Sequence, residues 1–241
     1  MMRKWLVALM LVYSSVAYAD TYQVASTTVS RTVDAAFERI RHIYQVAGHD
    51  LEIVLESNAR SIESANNGKY DCELARVAGV NAFYKNLIPL EDPYFYQELV
   101  IAHHHNETEI PRSLEELAEL LKRGNPVGFP RGNKFLTNAL SVYDGQAVTS
   151  GKSLMKMVSR GRLRYAASFL GVMEVHTEEF PDVRVRLDQP LLRIPMFHYV
   201  HKKNENLVKP LSLATRQVNA DNGGPPSVIE MEKMLETLYK R

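Results

Sequence analysis

The chain has 241 residues, enough to bury one large core or two small ones. Its 45% hydrophobic and 24% charged residues are ordinary for a folded globular protein. Lys and Arg total 29 against 28 for Asp and Glu, so the formal net charge of +1 offers no field to draw in nucleic acid or an anionic membrane.

The first predicted element is an export signal. Arg3 and Lys4 precede an apolar run over residues 5–12, and Ala17-Tyr18-Ala19 forms a small-x-small cleavage site before Asp20. The run is short against the ~20 residues of a membrane span. Residues 1–19 are therefore expected to be removed, leaving a periplasmic protein. No cysteine follows the run to carry a lipid. The single cysteine, Cys72, excludes an internal disulfide and reads as a small buried hydrophobe.

Residues 21–26 are rich in β-formers. Ser30 then reads as a helix cap, and Val33, Phe37, Ile40, Ile43 and Tyr44 recur at helical spacing up to Gly48. Residues 51–55 form a second strand, 61–65 a short helix closed by Asn66-Asn67-Gly68, and 72–77 a third strand. This alternation argues for an α/β unit with a largely parallel sheet. Residues 98–103 (ELVIAH) form a further strand. Past Pro111 the pattern restarts. Ser113 and Glu116 make a capping box for a helix to Lys122, followed by a strand at 127–129 and a helix at 134–140. Val148 is a strand residue, 152–158 a helix and 164–172 a strand. An apolar strand at 195–200 precedes two helices, near 207–218 and 227–240, joined by Asn222-Gly223-Gly224-Pro225-Pro226. Two α/β lobes separated by a cleft result, and clefts between lobes are favoured places for small-molecule sites.

The stretch Gly68-Lys69-Tyr70-Asp71, with Asp92-Pro93-Tyr94 after the third strand, resembles the bacterial extracellular solute-binding proteins of family 3, the periplasmic amino-acid-binding proteins of ABC importers. In the second lobe, Val127-Gly128-Phe129-Pro130-Arg131-Gly132-Asn133 stands where the family carries V-G-x-x-x-G-T. The resemblance spans nearly all of the chain after residue 19. It implies a two-lobed periplasmic-binding fold with a central cleft and hinge strands near Val100 and Phe197. Residues 20–104 and 195–241 would form lobe I and residues 105–194 lobe II. It implies a monomeric, non-enzymatic binder of a small polar ligand, with an inner-membrane permease or membrane sensor as partner and no cofactor, metal or nucleic acid. The chain departs from the family where ligands are held. Residues 78–86 lack the arginine that clamps an α-carboxylate, and residues 161–169 lack the acid that takes an α-ammonium.

Arg60, Arg76 and Arg131 fall at predicted strand ends or the loops after them, where open α/β sheets hold ligands. A guanidinium forks two hydrogen bonds onto a carboxylate. The alternative for Arg76 is an internal ion pair to Glu73 or Asp71, and for Arg60 a structural role carries more weight. Tyr94 is expected to line the cleft wall, Phe95 to be core, and Asn133 to join the ligand set. His103-His104-His105 cannot converge on one ion, because neighbours on a strand alternate faces. Ser150-Gly151-Lys152-Ser153 lacks the leading glycine of a phosphate loop and reads as a helix cap. No G-x-S-x-G or local Cys/His arrangement recommends an enzyme.

Overall fold

A computed structural model describes residues 20–26, 31–131, 134–140, 144–227 and 230–231. The expected export segment, the Ser30 cap, Asn133 and the last helix beyond Met231 lie outside them.

The first half builds β1 (Thr21–Ser26), α1 (Arg31–Val46), β2 (Asp50–Leu55), α2 (Asn58–Asn66) and β3 (Cys72–Val77). β1 pairs in parallel with both β2 and β3. Along α1, Ala36, Phe37, Ile40, Ile43 and Tyr44 fall on one stripe and are all buried. A matching parallel unit follows: α3 (Leu114–Lys122), β6 (Val127–Pro130), α4 (Lys134–Leu140), β7 (Gln146–Val148), α5 (Gly151–Ser159) and β8 (Tyr165–Phe169). The Ser113 hydroxyl accepts from the Glu116 amide as its capping pattern requires, and Ser150 does the same for Ser153.

Two ten-residue strands join the halves: β5 (Phe95–His104) and β10 (Leu192–His201). β10 runs antiparallel to β3 and to β5, and β5 runs antiparallel to β8. The sheet order is β2-β1-β3-β10-β5-β8-β6-β7, curled into the α/β, two-lobed periplasmic-binding architecture. The link strands are thus antiparallel insertions between two parallel units.

Three local differences from expectation have physical causes. The strand beginning near 164 stops at Phe169, where α6 (Leu170–Met173) starts and brings Gly171 close to Thr32 of α1. β4 (Leu87–Pro89), which pairs with β10, and β9 (Val183–Val185), which pairs with β5, are too short to show a period. α2 begins at Asn58, three residues before its apolar signal.

The last described helix, α7 (Val208–Asp221), returns to the first half. Buried Arg39 of α1 donates from Nη2 to Asn219 Oδ1 at 2.8 Å and from Nε to the Tyr94 carbonyl at 2.6 Å. Burial lowers its guanidinium pKa to about 10, so it stays charged at neutral pH. Among the described residues no helix is long and apolar enough to cross a membrane.

Candidate functional site

The site grows from an irregularity in β3. Phe197 of β10 stands opposite Arg76, but Tyr199 stands opposite Glu73. Leu74 and Ala75 therefore oppose the single residue His198, which is a β-bulge. On a regular strand, residues three apart point to opposite faces. The extra residue brings Glu73 and Arg76 to the same face, where Arg76 Nη2 lies 2.6 Å from Glu73 Oε1. Arg76 Nη2 also donates to Ser61 Oγ of α2 at 2.8 Å.

Glu73 is 1% exposed and Arg76 16%. A ligand could reach the guanidinium but not the carboxylate behind it. Burial pushes the Glu73 carboxyl up to about 7, outweighing the pull of Arg76 and of the Ser61 hydrogen bond. Glu73 Oε2 has no hydrogen-bond partner among the described residues. Arg76 thus makes the internal ion pair weighed from sequence while keeping an exposed edge at the carboxyl end of β3.

The bulge also frees the Leu74 carbonyl from the ladder. It accepts from Tyr94 Oη at 3.0 Å and from His198 Nδ1 at 3.1 Å. A carbonyl only accepts, so Nδ1 carries the proton. Nε2 then accepts from Tyr44 Oη at 3.0 Å. Full burial lowers the His198 pKa to about 4, keeping the ring neutral. Tyr94 is accordingly corrected from cleft wall to core. Its ring is 0% exposed, edge-on to Phe95 at 4.8 Å, and its hydroxyl is committed to Leu74. Cys72 is buried beside Tyr44, and burial pushes its thiol pKa well up, away from reactivity.

Arg60 and Arg131, the other described members of the expected ligand set, lie on separate elements. Arg60 is exposed in the first turn of α2. Arg131 is exposed just past β6, its amide donating to the Val148 carbonyl at 2.7 Å. The structure does not bring either one to Arg76 through any bond.

Between the carboxyl ends of β3 and β8 lies the overlap of the two link strands, Phe95–Leu99 against Leu192–Met196. Glu98, 1% exposed, sits on this overlap and shares a face of β5 with Val100 and Ala102. Across β5, the buried Ser168 of β8 has no hydrogen-bond partner for Oγ among the described residues. Sequence reading passed over both. Glu98 was hidden inside an apolar strand, and its acidity there was the available signal. The halves touch over this floor. A Cβ on Gly171 would stand 2.5 Å from Thr32 Oγ1 in the first turn of α1.

Of the three consecutive histidines, His103 is buried and uses Nδ1 on the His104 carbonyl, while the rings of His104 and His105 lie 4.4 Å apart. Among the described residues no group of three or more His, Cys, Asp or Glu side chains is placed to hold a metal.

No family model and no curated protein matches the chain in sequence. Solved structures match in shape. An ancestral arginine-binding protein bound to arginine superposes with a TM-score of 0.64 at 16% identity, covering 89% of this chain and 97% of its own. An amino acid ABC transporter substrate-binding protein, AbpA from Streptococcus pneumoniae, bound to L-arginine, gives 0.61 at 15% identity, covering 91% and 94%. A histidine kinase sensor domain with similarity to periplasmic binding proteins gives 0.64 at 14% identity, covering 90% and 96%. These neighbours are binding proteins and sensor domains. Through them and its own sheet order, the chain is shown to have the two-lobed fold of the periplasmic amino-acid-binding proteins, in a form far diverged in sequence.

Proposed function

We propose that the chain is a periplasmic, non-enzymatic solute-binding protein that captures a small amino-acid-like or carboxylate ligand between its lobes for an ABC importer. The observation that carries this reading is Arg76. Its guanidinium is fixed by Glu73 and Ser61 at the carboxyl end of β3 and is 16% exposed toward solvent. Such a preordered fork suits a ligand carboxylate. Arg131 would meet the ligand from the second lobe, with Asn133 beside it and Arg60 at the rim. Tyr94 would support them from the core. Glu98, buried beneath the strand overlap, would add negative charge under a ligand ammonium without touching it, where residues 161–169 lack an acid. The lobes would comprise residues 20–104 with 195–241, and residues 105–194.

A second reading is favoured by one observation: a histidine kinase sensor domain and the BvgS VFT2 domain of Bordetella pertussis share this fold. The chain would then report ligand occupancy to a membrane protein instead of delivering cargo.

Isothermal titration of the purified protein with the common amino acids and small carboxylates tests ligand capture. One ligand class should saturate, and Arg76→Ala should weaken it roughly tenfold to a hundredfold. Unchanged affinity in folded Arg76→Ala and Arg131→Ala variants would remove both arginines from the site.

A further inference from the structure

A basic depression lies beside the end of β5, against β9 and the segment before α3. We propose that it is an anion-binding site for a small molecule carrying two or more carboxylate or phosphate groups. The depression encloses about 460 Å³ between β5, β9 and the segment leading to α3. Its polar lining is His103, Thr108, Arg112, Arg184, Arg186 and Asp188.

Strand pairing builds it. Arg184 of β9 stands opposite His103 of β5, and Arg186, two residues on, shares its face. Arg112, just before α3, closes the other side. Three guanidinia face one carboxylate, so the lining carries a net charge of +2 in a chain whose total is +1. Among the described residues the Arg112 and Arg184 guanidinia have no hydrogen-bond or ion-pair partner.

Of the nearby acids, Glu116 accepts from the Arg112 amide at 2.7 Å, while Glu107 and Glu109 are held by other arginines. Glu107 takes two hydrogen bonds from Arg164, at 2.7 and 2.8 Å, and Glu109 pairs with Arg123 at 2.5 Å. Arg186 alone is held, by Asp188 at 3.5 Å and Gln189 at 2.5 Å. Asp188 is 75% exposed and could swing away. Three fork-shaped donors lining one depression suit multiply charged oxyanions, which can take bidentate bonds from more than one arginine.

Titration of the purified protein with citrate and with pyrophosphate, at constant ionic strength against a chloride control, tests this. At least one should bind saturably at one site. Affinity should fall about tenfold or more in Arg112→Ala and in Arg184→Ala. Arg216→Ala, which removes an exposed arginine paired with Glu91 and Asp92, should bind like the parent. Citrate alone would assign the site to carboxylates, pyrophosphate alone to phosphates. Failure of both to saturate would overturn the proposal. So would unchanged affinity in an Arg112→Gln/Arg184→Gln double variant with the parent's unfolding midpoint. Because Arg76 is untouched, amino-acid capture can succeed or fail independently.

Discussion

Glu73 and Arg76 are three residues apart on one strand, yet they meet at 2.6 Å because the bulge in β3 turns both to the α2 face. The pair is a structural dependency as well as a ligand handle. Removing Glu73 takes from the largely buried Arg76 its carboxylate partner at 2.6 Å and leaves the Ser61 hydroxyl beside it. Breaking a buried pair from one side typically costs ~3–5 kcal/mol, and the partial exposure of Arg76 places Glu73→Ala near the lower end, at about 3 kcal/mol. Urea unfolding at pH 8 measures it. A loss under about 1 kcal/mol would mean that water solvates Arg76 without help.

Burial raises the Glu73 carboxyl pKa from 4.5 to about 7 in the folded chain. The folded state therefore holds this proton more tightly than the unfolded state. Its contribution to stability is full below pH 4.5 and is lost as pH rises through about 7. Glu73→Gln cannot titrate. The stability difference, variant minus parent, should thus climb in the variant's favour between pH 4.5 and 7, by up to about 3 kcal/mol. Paired denaturation curves across that window give the slope directly. A flat difference would show the carboxylate ionised throughout.

Contact between the halves rests in part on Gly171. A methyl there would come 2.5 Å from Thr32 Oγ1 and 3.1 Å from Thr32 Cβ. Gly171→Ala is expected to hold the halves apart, raising the radius of gyration in solution scattering and lowering the unfolding midpoint. Thr32→Gly should relieve the clash in the double variant, with a coupling energy within the usual ~0.5–3 kcal/mol for touching residues. Additive effects of the two substitutions would show that the contact yields freely.

Much of the fold is legible in the sequence because its helices carry their own punctuation. Ser113 and Ser150 cap α3 and α5 where the pattern places them, and α1 buries the stripe read from its apolar spacing. The parallel strands β1, β2 and β3 stand out as short β-rich runs between helices. The site is less legible, for one reason. Strand alternation places residues 73 and 76 on opposite faces, and only the register against β10 reveals the bulge that reunites them. The same bulge explains Tyr94, whose hydroxyl is drawn inward by the released Leu74 carbonyl, a group invisible to side-chain patterns. Glu98 escaped notice because an acid inside ELVIAH looks like an interruption, not a floor.

In the sheet, β10 lies between β3 and β5, although it begins 88 positions after the end of β5 in the chain. During synthesis, β3 and β5 emerge early with a strand-wide gap between them. That gap can be filled only after His201 has been made. The sheet cannot close between β3 and β5 before β10 is made, so the pairing is long-range and slow to form. A chain built this way keeps the facing edges of β3 and β5 unpaired until β10 arrives, late and exposed to wrong partners.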